Sequence, residues 1–134
     1  MSAFHLTRYQ NKLLSRLPGT ELEKFESALE HLPLPKGFMI ARLDCAIDYI
    51  YFLESGIGSI VTVSREGHKA ESGLFGRESF SPTAAAAHTD ISFHEIEIQS
   101  QGHGHRIGLL PFWEALASSR PLANGKRVGH PTYL

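Results

Sequence analysis

The segment Tyr49–Val63 constrains the fold of this chain more than any other stretch. Its first five residues, Tyr49–Leu53, place apolar side chains on both faces of a strand, because successive side chains of a strand point to opposite sides. After a break at Glu54-Ser55-Gly56, residues Ile57–Val63 follow a β-branched pattern with the same period of two. Gly56 allows a tight turn between the two strands, since glycine takes positive φ without steric cost. A strand that is apolar on both faces needs cover on both sides, which predicts a sandwich or a roll.

Length and composition indicate one ordinary domain. The chain has 134 residues, of which 42% are hydrophobic, enough to build a core without disulfides. The formal net charge is −1, which does not favour binding to nucleic acid or to an anionic membrane. Cys45 is the single cysteine, so no internal disulfide is possible and a reducing compartment is expected. With no apolar run near ~20 residues and no signal-peptide pattern at the N-terminus, we expect a cytoplasmic protein with no membrane partner.

Two helices are predicted before the first strands. Residues 11–17 form a short helical pattern that Pro18-Gly19 stops. Thr20 and Glu23 have capping-box spacing, in which a hydroxyl and a carboxylate satisfy amides at a helix start. Apolar residues then recur at helical spacing as far as Leu32, and Pro33 is expected to end this second helix because proline lacks the required donor.

Strands and turns are predicted for most of the remaining chain. We expect a strand over 38–43, a left-handed residue at Asp44, a hairpin turn over 65–68 and a strand over 69–75. The four alanines 84–87 fit either a helical turn or a packed loop. In the alternating segment 90–98, Ile91, Phe93 and one of Ile96 and Ile98 can share a core face only if a bulge lies near His94 or Glu95. We further predict a turn over 102–105, a last strand over 106–109, and a helix over 111–116 with proline at its first position.

The segment Asp48–Gly56, followed by Gly67 and then by Gly76-Arg77-Glu78, resembles the cyclic-nucleotide-binding domain of Crp/Fnr-type bacterial transcription regulators. The resemblance extends from about Asn11 to about Leu122. It implies an α+β fold: an antiparallel double-stranded β-helix, or jelly-roll β-roll, of about eight strands, with flanking N-terminal helices and one C-terminal helix. It also predicts a domain over 1–122 and an irregular tail over 123–134.

The phosphate-binding cassette of that family has only a partial counterpart here. In the family, a glycine and a glutamate open a helical turn whose amides hold the cyclic phosphate, the glutamate holds the ribose hydroxyl, and a downstream arginine pairs with the phosphate. Gly76 and Glu78 are present, with Arg77 between them, but no arginine or lysine occurs from Ser79 to Ser100. Only His88 and His94 remain as cations in that stretch, and loss of the arginine removes charge-assisted bonds worth about 1.5–3 kcal/mol.

We therefore predict a degenerate cassette, no cofactor and no cyclic-nucleotide binding. The candidate ligand-binding residues implied by the resemblance are Gly76, Arg77, Glu78, Ser79 and His88. The competing interpretation of the first three is a β-turn at the mouth of the roll with solvated charges.

The predicted function is that of a non-enzymatic regulatory or ligand-sensing domain. Residues 123–134 contain two glycines and one proline and no helical stripe, so no helix-turn-helix is expected and we predict no direct DNA binding by this chain. The expected partners are a small-molecule effector and either another protein or a second copy of the chain. The alternative is a cupin-like metal-dependent enzyme that uses His103 and His105, since histidines two apart on a strand share a face. The first glutamate after that pair is Glu114, on a different predicted element.

Overall fold

A computed structural model describes residues 9–118, and the predicted domain end at residue 122 and tail over 123–134 lie outside this range. No helix within the described range is long and apolar enough to cross a membrane. The helices and strands are α1 (Lys12–Ser15), α2 (Gly19–Glu26), β1 (Glu30–Leu34), β2 (Met39–Ala41), β3 (Tyr49–Leu53), β4 (Ile57–Val63), β5 (Lys69–Phe75), a 3₁₀ helix (Thr83–Ala87), β6 (Glu95–Ser100), β7 (Gly102–Gly108) and α3 (Leu109–Ser118).

The strands form two antiparallel sheets with the orders β1-β7-β3 and β2-β6-β4-β5. The expected α+β jelly roll is confirmed, although residues 9–118 contain seven strands and not about eight. Strand β3 is apolar on both faces, as predicted. Ile50 and Phe52 pack against the helices, whereas Tyr51 and Leu53 pack between the two sheets. The helix-facing core also includes side chains from α1, α2, β7, the 3₁₀ helix and α3.

The predictions for the central hairpins are confirmed. Strands β3, β4 and β5 begin and end at the predicted residues. Gly56 and Gly67 have φ angles of 92° and 86° at the two turns, and Asp44 has a φ of 60° in the left-handed region. The predicted and observed turns agree because a turn depends on only a few neighbouring residues. At each position that needs a positive φ, the sequence has a residue that adopts it readily.

The second helix is shorter than predicted. It ends at Glu26, and Glu30–Leu34 forms β1, which pairs with β7 along its whole length. The predicted capping box is wrong as well, because the helix is capped by Pro18 without a side-chain hydrogen bond. Proline is compatible with β1 because the strand lies at a sheet edge. Leu32 and Leu34 join the core between the sheets, so the apolar residues after Glu26 serve a strand.

The predicted turn over 102–105 is also wrong, because these residues are part of the seven-residue strand β7. Its glycines meet a close backbone approach and do not make a turn. A Cβ on Gly102 would lie 2.1 Å from the carbonyl oxygen of Ser55, and one on Gly104 would lie 2.5 Å from that of Phe52. The predicted last strand over 106–109 is therefore the end of β7, and Leu109 begins α3, in which Pro111 is the third residue.

The segment 90–98 is a strand only from Glu95 onward. Ser92 breaks the alternation: its hydroxyl donates to the carbonyl of His94 at 2.7 Å and accepts from its amide at 3.3 Å. Ile91 and Phe93 are exposed, whereas Ile96 and Ile98 are both buried, so the predicted shared core face is wrong for the first two. The four alanines, left open above, lie in the 3₁₀ helix.

Candidate functional site

The candidate site is the turn Gly76–Ser79, which follows directly from the last residue of β5. The backbone amide of Gly76 donates to both carboxylate oxygens of Glu78, at 2.7 and 3.1 Å. The Glu78 side chain therefore forms a hydrogen-bonded ring with the backbone of its own turn. Its carboxylate occupies the Gly76 amide and places negative charge at the turn.

The start of α1 holds this turn against the rest of the domain. The Lys12 amide donates to the carbonyl of Arg77 at 2.7 Å. The Asn11 side-chain amide donates to the carbonyls of Ser79 and Leu53, each at 3.0 Å. Asn11 is fully buried, and its side-chain oxygen also caps α1 by accepting from the amides of residues 13 and 14. One side chain thus joins a helix start, the end of β3 and the candidate site.

Glu54 also holds the residues that precede α1. Its carboxylate is buried and accepts from the amides of Gln10 and Asn11, at 2.9 and 3.2 Å. Sequence reasoning identified neither Asn11 nor Glu54 as important. The available signals were an N-cap residue type before a helix and an acidic residue directly after a wholly apolar strand, a position where burial requires a partner.

His88 contacts a different part of the domain from the other candidate residues. It ends the 3₁₀ helix in the left-handed conformation, with φ 60°. Its ring stacks on Trp113 of α3, with the ring centroids 5.1 Å apart and the planes at 20°. Trp113 in turn donates its indole N–H to the carbonyl of Ala85 at 2.8 Å. The structure therefore brings Gly76, Arg77, Glu78 and Ser79 together in one turn and places His88 against α3.

The space between the sheets beside the turn is filled by aromatic side chains. Phe75, next to Gly76, is buried, and its ring lies so close to Gly58 of β4 that a Cβ there would be 2.2 Å from it. Phe38 and Tyr51 pack edge to face with their centroids 5.7 Å apart. The core between the sheets, which Phe75 joins next to Gly76, is thus filled by the protein's own side chains.

Arg77 of the turn and Arg106 of β7 each contact another side chain. The Arg77 guanidinium is exposed and contacts the Gln10 side-chain oxygen at 3.4 Å. Arg106 on β7 bonds Glu30 at 2.8 Å and covers the Tyr49 ring at 3.9 Å, and the hydrogen bond to Glu30 raises the pKa of Arg106 further above its usual value.

The alternative metal ligands His103 and His105 lie on β7 beside His31 of β1. His31 Nε2 and His103 Nδ1 are 3.0 Å apart and hydrogen-bonded to each other. In residues 9–118, no group of three or more His, Cys, Asp or Glu side chains is arranged to hold a metal ion. Burial lowers the pKa of His105, a shift that Glu54 opposes and the two neighbouring histidines reinforce.

The sequence matches no protein-family model and no curated protein. The fold has many solved counterparts. The regulatory subunit of a cAMP-independent protein kinase A from Trypanosoma brucei aligns with a TM-score of 0.78 and 14% identity, over 98% of this chain and 49% of that one. A triple mutant of that subunit, in which one substitution introduces an arginine, is bound to cAMP in its A site; it aligns with a TM-score of 0.66 and 14% identity, over 92% of this chain and 51% of that one.

The sensor domain of a bacterial transcription regulator also aligns with this fold. The sensor domain of the transcriptional regulator DNR from Pseudomonas aeruginosa aligns with a TM-score of 0.73 and 18% identity, over 96% of this chain and 85% of that domain. This chain spans about half the length of the kinase subunit and most of the DNR sensor domain. The chain therefore has the jelly-roll fold that cAMP-binding regulatory domains share with Crp/Fnr-type transcription regulators.

Proposed function

We propose that this chain is a non-enzymatic regulatory domain that senses a small-molecule effector, on a cyclic-nucleotide-binding-like roll whose cassette does not accept a cyclic phosphate. The likeness to regulatory domains supports the sensing role. The candidate effector-contacting residues are those of the turn, Gly76 to Ser79, with His88 as a separate contact beside α3.

One observation carries the proposal that the cassette is degenerate: the Gly76 amide is bonded to Glu78 of the same turn. An anion can bind at a turn when bare amides point at it and positive charge is nearby. In this turn the Gly76 amide already donates a hydrogen bond, and the group that accepts it is the negatively charged carboxylate of Glu78. A phosphate would have to displace Glu78 and overcome its repulsion.

The absence of a downstream arginine strengthens the case. No arginine or lysine lies between Ser79 and Ser100, so a phosphate would lose the bidentate fork that arginine provides. The regulatory subunit of the cAMP-independent trypanosomal kinase offers a parallel, since its triple mutant, which loses a glutamate and gains an arginine, is bound to cAMP. We infer that this chain lacks cAMP binding for a similar electrostatic reason.

Titration of ¹⁵N-labelled protein with cAMP and with cGMP, followed by NMR, tests the proposal at the Gly76 backbone amide. The amide signals of Gly76 and Arg77 should not shift progressively up to millimolar nucleotide, and neither should that of Gly67, which serves as the control at the distant β4–β5 turn. Saturable shifts confined to the first two residues would contradict the proposal. Loss of those shifts in Glu78→Gln would show that the cassette works as it does in the resembled family.

The metal-enzyme alternative receives no support from the arrangement of the histidines. The contact between His31 and His103 uses the lone pair of one ring for the proton of the other, so these two nitrogens are not both free to bind a metal. We expect purified protein, analysed by elemental mass spectrometry after dialysis, to hold much less than one transition metal per chain. Stoichiometric zinc or iron that is lost on changing His103 to glutamine would instead favour the enzyme.

The remaining proposals concern partners. With a net charge of −1 and no helix-turn-helix pattern in its sequence, the chain is proposed to act through contact with another protein or a second copy of itself, without contacting DNA. The domain is proposed to extend to residue 122.

A further inference from the structure

Three histidines from two strands meet on the helix-facing side of the sheet β1-β7-β3. His31 of β1 is the cross-strand partner of His105 on β7, and His103 lies two residues earlier on the same face of β7. The His31 ring centroid is 5.1 Å from each of the other two. His105 pairs in turn with Phe52 of β3, whose ring belongs to the helix-facing core.

His105 is the enclosed member of this histidine cluster. Its side chain is 16% exposed, and its Nδ1 atom is buried with no hydrogen-bond partner among the described residues. Oε2 of Glu54 is 3.8 Å from Nδ1, too far for a hydrogen bond. From α1's side, Tyr9 meets the imidazole edge-on at 5.2 Å, and the Tyr9 hydroxyl donates to Glu26 of α2.

We propose that the histidine cluster makes the docking of the N-terminal segment and β1 on β7 responsive to pH, with His105 as the sensing group. This inference does not depend on the proposed effector. It concerns other residues and a proton as the signal.

Protonation would act in two ways. A charge on His105 would be largely enclosed, since its side chain is 16% exposed and the His31 ring lies 5.1 Å away. In addition, protonated Nδ1 becomes a donor directed at Oε2 of Glu54, the oxygen that accepts from the Asn11 amide at 3.2 Å. Acidification therefore sets His105 in competition with the start of α1 for one carboxylate.

The direction of the effect follows from the balance of these groups. Burial lowers the pKa of His105, Glu54 opposes the shift, His31 and His103 add to it, and Glu26 opposes it. A base whose folded-state pKa lies below its unfolded value of about 6.5 favours the folded state fully above that value. The stabilisation is then lost as the pH falls through the lower, folded-state pKa. The N-terminal docking should accordingly weaken on acidification.

Amide hydrogen exchange on the full chain, corrected for the intrinsic pH dependence of exchange, tests the proposal. Between pH 7.5 and 5.5 the amides of β1 should lose protection, by up to about tenfold for each unit by which folding lowers the pKa of His105. Amides in the β4–β5 pair, which carries no member of the cluster, should keep theirs. In His105→Gln the pH response of β1 should disappear. In His68→Gln, which changes an exposed histidine at the β4–β5 turn, it should persist.

A second measurement applies if His105→Gln does not fold. NMR titration of the ring protons in the wild-type protein should give His105 a pKa below the ordinary histidine value of about 6.5, and the double variant His31→Gln, His103→Gln should raise it. The proposal is overturned if β1 protection does not change with pH in the wild-type protein, if it changes equally in His105→Gln, or if the pKa of His105 is at or above the ordinary histidine value.

Discussion

Phe52 is the residue on which the helix-facing core depends most. It is fully buried, and its ring packs against three other phenylalanines, Phe25, Phe80 and Phe112, with centroid distances of 5.7, 5.8 and 6.5 Å. We expect Phe52→Ala to lower the free energy of unfolding by about 3–5 kcal/mol, measured by urea denaturation. Phe93→Ala, at a side chain that is 59% exposed, is the matched control and should change it by less than about 0.5 kcal/mol. Equal effects from the two variants would show that the core is misassigned.

Ile60 lies in the middle of an apolar strand, as Phe52 does, but it is only partly buried at the margin of the core between the sheets. The sequence pattern could not separate them, since both residues lie in the middle of apolar strands. The difference comes from what covers each strand: helices cover Phe52, whereas β4 pairs with β5, most of which faces solvent.

Gly58 tests whether Phe75 fills the roll beside the candidate site. An added Cβ would lie 2.2 Å from the Phe75 ring, so Gly58→Ala should destabilise the domain by about 1–3 kcal/mol through overpacking. The double variant with Phe75→Leu should recover part of the loss, because the two residues contact each other. Gly73→Ala is the control: its Cβ would be 3.7 Å from the nearest atom, and its stability should equal or slightly exceed that of the wild type. Equal melting temperatures for the two single variants would contradict this packing.

At the scale of elements, the short helix α1 owes its position to the polar contacts of its first residues. Asn11→Ala removes a helix cap and leaves the carbonyls of Leu53 and Ser79 without their donor, at a cost of about 2–4 kcal/mol in unfolding free energy. Ser15→Ala, which removes a hydrogen bond to the Lys12 carbonyl at the other end of the helix, should cost less than about 0.5 kcal/mol.

Asn11→Asp separates the two roles of this side chain. Aspartate keeps an oxygen that can cap α1 but has no amide donor, and it would add a charge next to the Glu54 carboxylate. We expect it to destabilise the domain at neutral pH at least as much as alanine does. Wild-type stability in this variant would mean that the bridge to Leu53 and Ser79 contributes nothing.

The elements also show where sequence reasoning succeeded and where it stopped. The hairpins β3-β4 and β4-β5 could be predicted because strand alternation and turn glycines are local signals. Strand β1 could not, since Glu30–Leu34 continues a helical pattern and becomes a strand only by pairing with β7. The glycines of β7 suggested a turn, but glycine is required there because the backbone of Phe52 and Ser55 lies too close for a Cβ. That contact comes from a segment distant in sequence, so the local pattern could not reveal it.

The candidate site was predictable in part for the same reason. The turn Gly76–Glu78 and the missing cation are visible in the sequence. The bond between Gly76 and Glu78, the support from Asn11 and the stacking of His88 on Trp113 depend on three-dimensional contacts.

At the scale of the whole molecule, the charge balance predicts how this 134-residue chain behaves toward DNA. Its net charge of −1 supplies little of the counterion release that drives protein–DNA association. In fluorescence anisotropy with random-sequence duplexes at physiological salt, we expect no binding tighter than the micromolar non-specific range of about 10⁻⁶ M. Tighter binding that selects among sequences would contradict the proposed mode of action through protein contacts.

The central claim, that this cyclic-nucleotide-binding-like roll does not bind cyclic nucleotides, is tested most directly by thermal unfolding with cAMP. A ligand at 100 times its dissociation constant stabilises the folded state by about 2.7 kcal/mol, so even weak specific binding raises the melting temperature at high enough ligand concentration. We predict that millimolar cAMP leaves the melting temperatures of the wild type and Glu78→Ala unchanged relative to AMP. A concentration-dependent rise with cAMP in the wild type, absent in Glu78→Ala, would contradict the account.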